Sequence, residues 1–314
     1  MNLQQLRIVR ETARRQFNLT DVANALYTSQ SGVSKHLKDL EEELGVELFE
    51  RKGKRLLGLT APGAQLLGMA ERILLEAENM KRLARQYVQQ DEGRLAIATT
   101  HTQARYALPR IIKAFKLEFP KVHLELHQCG PDEIVSLLKA GQVDIGIATE
   151  ALPNEGNAFV CFPFYSWQHS VVVPREHPLT RLSQPTLADL ADYPVITYHD
   201  GYTGRTRIDA VFSDAGLTPD VVMSAVDADV IKTYVELGMG IGIIASMAYT
   251  AERDTLLQRL PVESLFSLNT TQIALRRGHF LRQYAYRFLN YCSDELDQDS
   301  VQQALASAEP GQRG

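Results

Sequence analysis

The stretch LTDVANALYTSQSGVSKHLKDLE, which spans residues 19–41, decides the fold of the N-terminal part of the chain. Thr20 or Asp21 can cap a short helix whose apolar residues lie on one face. After a break, Thr28 or Ser29 can cap a second helix. The buried face predicted for this second helix consists of Val33, Leu37, Leu40 and Leu44. Two short amphipathic helices joined by a tight turn predict a helix-turn-helix.

The opposite face of the second helix carries polar and basic side chains. Gln can make two hydrogen bonds to adenine in the major groove, while Ser and Lys contact bases or phosphates. The acidic run at residues 41–43 begins only where this face ends. The residues of this segment that we predict to contact DNA are Ser29, Gln30, Ser31, Ser34, Lys35 and Lys38.

Residues 49–56, FERKGKRL, place four cations around Gly53. The flanking apolar residues predict a β-hairpin wing that returns to the core through Leu48, Phe49, Leu56, Leu57 and Leu59. The tip would then contact DNA phosphates through Arg51, Lys52, Lys54 and Arg55. The alternative is a solvated charged turn, which is how an isolated charge run is usually interpreted. The position directly after a helix-turn-helix favours the wing.

Composition sets limits on the rest of the molecule. The chain has 314 residues and a formal net charge of −5, which at first argues against DNA as a partner. That charge is unevenly distributed, because residues 1–60 carry ten Lys/Arg against eight Asp/Glu, which leaves 23 against 30 for the remainder. No apolar run of membrane-spanning length and no secretory signal pattern occur, and three scattered cysteines do not form a disulfide framework or a metal cluster. We therefore expect a cytoplasmic protein that does not bind membranes.

A heptad pattern follows Pro62 and Gly63. Apolar residues recur at alternating steps of four and three, at Leu66, Ala70, Ile73, Ala77, Met80, Ala84 and Tyr87. One interpretation is a single amphipathic helix that packs on its own domain. The strict register favours a helix–helix contact, of which a dimer seam is one form.

From residue 94 onward, short apolar strands alternate with helical segments, which predicts an α/β domain with a mainly parallel sheet. The predicted strands are 95–98, 123–127, 145–148, 170–173, 195–197, 221–224, 242–245 and 272–275. The predicted helices are 103–118, 131–140, 204–215, 228–237 and 281–296. We divide the chain into a DNA-binding domain (1–60), a linker helix (61–90), an α/β domain (91–297) and a loosely ordered polar tail (298–314).

Three strand-to-helix corners of the α/β domain carry polar side chains. The first, ATTHTQ at residues 98–103, offers neutral donors at a helix N-terminus, where a small anion binds without needing a lysine. The second includes Thr203, which would face the first across a cleft, and Arg205, which we interpret as a surface residue. Asp227 in the third corner is first of all a helix cap, and it could also meet a ligand's amine. For each threonine taken alone, a capping role is the simpler explanation.

The N-terminal segment resembles the winged helix-turn-helix of LysR-type transcriptional regulators. The similarity rests on residues 28–35 (TSQSGVSK), 48–51 (LFER) and 60–63 (TAPG), and Ser31 departs from the proline found in many members. Residues 99–109, 148–152, 227–235 and 244–248 resemble the CysB branch of that family. The resemblance implies a type-2 periplasmic-binding-protein-like effector domain of two α/β subdomains, I (about 91–163 and 267–297) and II (about 164–266).

The resemblance also implies a function. Members of this branch control genes of sulfate assimilation and cysteine biosynthesis, with acetylserine-type inducers, inhibitory sulfate or thiosulfate, and adenosine phosphosulfate in a sister regulator. It implies promoter DNA and RNA polymerase as partners, a dimer or tetramer, and no catalytic residue, cofactor or metal. The residues that it implies for holding the anion are Thr100, Thr102, Gln103 and Thr203. We add His101, Thr149 and Asp227 as further candidate effector contacts.

Other functions remain open at this point. An enzyme is disfavoured because the glycine-rich stretch 238–242 follows a predicted helix and enters a strand, the reverse of a dinucleotide fingerprint. A transport-type solute-binding protein fits the α/β part, but the helix-turn-helix opposes it. A LysR-type regulator of a different pathway with the same anion site is a further alternative.

Overall fold

The computed structural model describes residues 1–53, 55–88, 91–150, 152 and 158–306. The chain divides into two compact units, with the division between Val88 and Gln89. Among the described helices, none is both long and apolar enough to cross a bilayer.

The first unit is a winged helix-turn-helix followed by a long helix. Its elements are α1 (Leu3–Arg14), α2 (Leu19–Ala25), α3 (Gln30–Leu44), β1 (Phe49–Lys52), β2 (Arg55–Leu59) and α4 (Ala61–Val88). The strands β1 and β2 pair antiparallel, as a wing requires. The core of this unit is built from Ile8, Val22, Val33, Leu37, Leu40, Leu48, Phe49 and Leu56.

Local details of this unit differ from the sequence-based expectations. Asn18, and not Thr20 or Asp21, caps α2, because its side chain accepts hydrogen bonds from the backbone N–H groups of both. Ser29 caps α3 as predicted. Leu44 and Leu57 are exposed rather than buried, because α3 ends at Leu44 and the wing turns only one of its two adjacent leucines inward.

The helix α4 uses only part of its predicted heptad face within the unit. Ala70 and Leu74 are buried against Leu6 of α1. Leu66 and Leu67 are partly buried against the core of the unit. Several large apolar residues farther along α4 are exposed: Met69, Ile73, Met80, Leu83 and Tyr87. The dimer seam therefore stays a prediction, and α4 keeps an apolar surface available for it.

The second unit contains two five-stranded sheets. The strands are β3 (Gly93–Thr99), β4 (Val122–Gln128), β5 (Ile145–Ala148), β6 (Phe159–Trp167), β7 (His169–Pro174), β8 (Val195–Tyr198), β9 (Val221–Ala225), β10 (Ile241–Ala245), β11 (Leu257–Arg259) and β12 (Asn269–Arg276). The first sheet has the order β4–β3–β5–β12–β6 and the second has the order β11–β7–β10–β8–β9. In each sheet two neighbouring pairs are parallel and two are antiparallel, so the prediction of a mainly parallel sheet is wrong for half of the pairs.

Helices cover both sheets and form separate cores with them. They are α5 (Leu108–Glu118, entered through a π-turn at Gln103–Ala107), α6 (Pro131–Ala140), α7 (Leu187–Ala191), α8 (Arg205–Asp214), α9 (Ala228–Glu236), α10 (Gln283–Cys292) and α11 (Gln298–Ala306). The prediction of a loosely ordered tail is wrong for residues 298–306, because α11 packs on the first core through the fully buried Val301. Residues 307–314 lie outside the described part of the chain.

The chain passes twice between the two sheets, and this creates two subdomains. It leaves the first sheet after β6 and returns through β12, and these two strands pair along their whole length. The first crossing therefore follows Trp167, a few residues after the expected boundary at 163. The carboxyl ends of β3 and β5 in subdomain I, and the N-terminus of α8 in subdomain II, meet between the two sheets.

Candidate DNA-binding surface and ligand cleft

The predicted DNA-contacting residues fall on two sides of α3. Gln30 at the start of α3 and Arg55 on β2 line one groove of about 460 Å3, together with the N-terminus of α2. Ser34, Lys38 and Arg51 line a second groove of about 550 Å3 together with several acidic side chains. Lys54 lies outside the described residues.

Two of the predicted cations already have acidic partners. Arg51 donates to Oε2 of Glu41 over 2.5 Å, and Lys38 Nζ lies 3.3 Å from Glu42. Ser29 accepts from the backbone N–H of Gly32, so its hydroxyl serves α3 itself. The exposed polar and basic side chains that these contacts do not engage are Gln30, Ser31, Lys35, Lys52 and Arg55.

The exposed side chains have the chemistry for sequence reading and phosphate binding. Gln30 and Ser31 offer neutral donors and acceptors at the helix end that enters a groove in helix-turn-helix proteins. Lys52 and Arg55 stand on the wing, where positive charge positions a protein on the phosphate backbone. Tyr27, which lies in the turn before α3 and is 98% exposed, is not among the residues predicted to contact DNA.

In the second unit, two of the predicted polar corners meet across a cleft. Thr102, which follows β3, and Thr203, which precedes α8, are both buried, and their hydroxyl oxygens lie 3.4 Å apart. Thr100 and Gln103 are buried beside them. We call Thr100, Thr102, Gln103, Thr149 and Thr203 the neutral-donor cluster. The contact between Thr102 and Thr203 joins subdomain I to subdomain II.

Neighbouring side chains orient this cluster. The hydroxyl of Tyr165 on β6 donates to Oε1 of Gln103, which leaves the amide nitrogen of Gln103 as a donor. Burial raises the pKa of Tyr165 to about 12, so its hydroxyl keeps the proton at neutral pH. The Thr149 hydroxyl lies 3.3 Å from that of Thr271, which also accepts from the Trp167 indole N–H.

The backbone before α8 adopts a left-handed conformation at two successive residues. Thr203 and Gly204 both have positive φ, at +46° and +72°. A Cβ at Gly204 would lie 2.6 Å from Oδ1 of Asn269, so this position requires glycine for space as well as for conformation. His169 Nε2 donates to the carbonyl oxygen of Thr203 over 3.0 Å, and burial lowers the pKa of His169 to about 4.

A buried carboxylate that sequence reasoning missed stands in the same cleft. Oε1 of Glu150 accepts from the backbone N–H of Gly204, while Oε2 is buried and has no hydrogen-bond partner among the described residues. Burial raises the pKa of Glu150 to about 7. Thr149 and Glu150 line a cavity of about 650 Å3 with Gly130, Pro131, Asp132, Glu133, Asp200, Gly201, Tyr202, Gly204, Thr206 and Arg207.

The third corner lies near the first but is largely occupied by internal bonds. Asp227 caps α9, as predicted, by accepting from the Val230 N–H over 2.9 Å. Asp229 accepts from the Tyr106 hydroxyl over 2.7 Å and from Arg105 over 3.1 Å, which adds a second link between the subdomains. One ligand atom each of His101, Asp227 and Asp229 lies within 4.8 Å of the others, and Lys232 neutralises Asp229 from 3.3 Å.

The interpretation of Arg205 as a surface residue is wrong. Its side chain is 13% exposed rather than on the surface, because it donates to the Tyr198 carbonyl oxygen and pairs with Asp209. It therefore ties the start of α8 to the end of β8. His101 is also held locally, with Nδ1 3.2 Å from Oε1 of Gln128.

Both units of the chain match known protein families. Residues 3–64 match the family described as "Bacterial regulatory helix-turn-helix protein, lysR family", and residues 89–297 match "LysR substrate binding domain". The chain is 55% identical to the HTH-type transcriptional regulator SsuR of Burkholderia cenocepacia, over 98% of this chain and 100% of that protein. It is 50% identical to the HTH-type transcriptional regulator CysB of the same species, over 97% of both. The crystal structure of the cofactor-binding domain of the Cbl transcriptional regulator has 49% identity, a TM-score of 0.66, and covers 69% of this chain and 95% of that one.

Proposed function

This chain belongs to the LysR family of DNA-binding transcriptional regulators, and from that premise we propose that it controls genes of sulfate assimilation and cysteine biosynthesis in response to a small sulfur-pathway anion. The predicted architecture of a winged helix-turn-helix followed by an effector-type domain is confirmed. The sulfur role rests on the similarity to CysB and Cbl over nearly the whole chain and over the second unit, respectively.

The observation that carries the effector proposal is the contact between Thr102 and Thr203 across the cleft. Neutral hydroxyl and amide donors from both subdomains converge there in a buried setting. Such donors bind an oxyanion by hydrogen bonding without a cation. A ligand held by both sides would favour one arrangement of the subdomains over others, which is the differential affinity that a switch requires.

We assign the ligand contacts as follows. The neutral-donor cluster holds the anion, and His101 and Asp227 border the site on the side of the third corner. An acetylserine, sulfate, thiosulfate or adenosine phosphosulfate would each present an oxyanion or carboxylate to this cluster. Metal and cofactor have no part in this proposal.

DNA recognition is assigned to the first unit. Gln30, Ser31 and Lys35 would contact bases or nearby phosphates, and Lys52, Lys54 and Arg55 would contact the backbone. A smaller contribution to DNA binding is expected from Ser29, Ser34, Lys38 and Arg51. Ser29 already caps α3, and Lys38 and Arg51 already pair with acidic side chains. A dimer or tetramer formed through the exposed face of α4, and a contact with RNA polymerase in the cytoplasm, complete the proposal.

The effector assignment is tested by isothermal titration of the full chain with O-acetylserine, N-acetylserine, sulfate and adenosine phosphosulfate. At least one of them should bind, and Thr102→Val should weaken it by about 10- to 100-fold, since one charge-assisted hydrogen bond contributes about 1.5–3 kcal/mol. Thr20→Val, on the exposed surface of the first unit, is the matched control.

Fluorescence anisotropy with promoter fragments of sulfur-assimilation genes tests the DNA assignment. Binding should weaken steeply with salt and should change when the effector is added. Absence of salt-dependent retention on any such fragment, or equal effector affinity in Thr102→Val, contradicts the proposal. Binding of an unrelated carboxylate in place of all four probes would favour a LysR-type regulator of another pathway.

A further inference from the structure

Glu150 is an acidic side chain beside the neutral-donor cluster, to which we assign an anion. It follows β5 and reaches across to subdomain II, where its Oε1 accepts from the backbone N–H of Gly204. Its other oxygen, Oε2, is buried and has no partner among the described residues. One half of the carboxyl group is therefore satisfied and the other half is available.

Among the described residues, little positive charge near Glu150 is available to balance the negative charge of a bound anion. Arg207 is the one cation among the described residues that line the cavity, and it donates to the backbone carbonyl oxygen of Leu268. His169 packs beside Gly204 but stays neutral at physiological pH, because burial depresses its pKa. The titratable groups that face this region from α6, β7 and the start of α8 are Asp132, Glu133, His169, Asp200, Tyr202 and Arg207.

The position of Glu150 couples it to the proposed anion site. It is adjacent to Thr149 in sequence, and the amide that it binds belongs to the residue after Thr203. Thr203 in turn contacts Thr102. A negative charge bound by this cluster would therefore disfavour the ionised form of Glu150 and favour its protonated form.

We propose that the cleft binds its anionic effector together with one proton, and that Glu150 carries this proton. The proton comes from solvent and is placed on Oε2, while Oε1 continues to accept from the Gly204 N–H. Protonation removes the repulsion and turns Oε2 into a hydroxyl donor for the anion. This inference rests on the proposed function, since it describes the same cleft.

The ionisation of Glu150 sets the pH dependence expected for anion binding. With a pKa of about 7 in the free protein, Glu150 is ionised in about 9 of 10 molecules at pH 8 and in about 1 of 10 at pH 6. Anion binding should therefore take up about 0.9 proton at pH 8 and about 0.1 at pH 6. If only the protonated form binds, affinity should fall about tenfold between these pH values.

The test uses sodium sulfate as the probe, because sulfate does not change its charge in this range. Titration calorimetry of the full chain in buffers of different ionisation enthalpy measures the proton uptake at about pH 6 and about pH 8. In Glu150→Gln the uptake should vanish and the affinity should become independent of pH. Glu133→Gln, an exposed acid that lines the same cavity, should keep the wild-type uptake and pH dependence.

The outcomes separate this inference from the proposed function. Sulfate binding that is equally strong at both pH values and takes up no proton overturns the inference and leaves the anion site intact. Absence of sulfate binding at every pH, together with absence of binding of the other three probes, overturns both. A 13C-carboxyl NMR titration of the wild-type protein provides a check without the variant. One glutamate signal should titrate near pH 7, and the pH midpoint of this titration should rise when sulfate is added.

Discussion

Replacement of Glu41 by alanine tests whether an internal acid, rather than the hairpin alone, positions the wing. The Glu41 carboxylate on α3 is 10% exposed. It accepts from the backbone N–H groups of Leu48 at 2.8 Å and Phe49 at 3.3 Å, and from Arg51 at 2.5 Å. The side chain therefore joins the C-terminal half of the recognition helix to the first strand of the wing.

The expected cost follows from these three contacts. Loss of one to two charge-assisted bonds to partly buried amides costs about 2–4 kcal/mol, and the more exposed ion pair with Arg51 adds at most about 1 kcal/mol. Glu41→Gln keeps a carbonyl acceptor for the amides and should cost about 1 kcal/mol. Glu42→Ala is the matched control, because Glu42 is exposed and pairs only with Lys38 among the contacts described, so its loss should cost less than about 0.5 kcal/mol.

Hydrogen exchange at the Leu48 and Phe49 amides measures the effect where it arises. In Glu41→Ala both amides should lose protection, and DNA affinity should fall because the wing no longer holds its cations in place. Trp167 is the single tryptophan and lies in the second unit, so the denaturant midpoint of its fluorescence should not move. Unchanged protection at both amides, or an equal shift of the Trp167 transition, would refute the reasoning.

Four further substitutions probe other parts of the molecule. Gln30→Ala should lower specific DNA affinity by about 1–3 kcal/mol at an unchanged salt dependence, whereas Lys52→Ala should lower the salt slope by about one in a footprint-validated anisotropy assay. Met80→Glu on the exposed face of α4 should shift the protein to a smaller species in sedimentation velocity if this face forms the dimer seam. The pKa of His169 falls from 6.5 to about 4 on folding, so the unfolded state binds more protons in this window. His169 should therefore contribute a loss of up to about 3 kcal/mol as pH falls from 6.5 to 4. Because the raised pKa of Glu150 contributes with the opposite sign, the quantity to measure is the stability of the wild type relative to His169→Gln, which should fall by that amount in urea titrations.

The features that sequence predicted well are those with a local physical signal. The helix-turn-helix follows from apolar spacing and from the cap at Ser29. The meeting of Thr102 and Thr203 follows from the rule that ligand sites gather where strands end and helices begin. The turn at residues 238–240 follows from glycine, and Gly238 adopts a φ of +76° between α9 and β10.

The features that sequence missed depend on partners that are distant along the chain. β6 is an aromatic-rich run without clean alternation, and its pairing with β12 joins residues about a hundred positions apart. The helix α11 has 9 residues and a single fully buried one, Val301, so its apolar pattern is too short to reveal it. Arg205 resembles a surface cation until Asp209 and the Tyr198 carbonyl are placed beside it.

Glu41 and Glu150 share one principle, although they serve different units. Each is an acid whose carboxylate binds backbone amides of another element, and neither is recognisable from its neighbours in sequence. An acid that binds amides holds two elements together only while it remains ionised or keeps an acceptor oxygen. Glu41 is backed by the positive charge of Arg51, so it can serve as a permanent brace. Glu150 has a free buried oxygen and a pKa close to neutrality, and that difference is what makes it suited to respond to a ligand rather than to fix the fold.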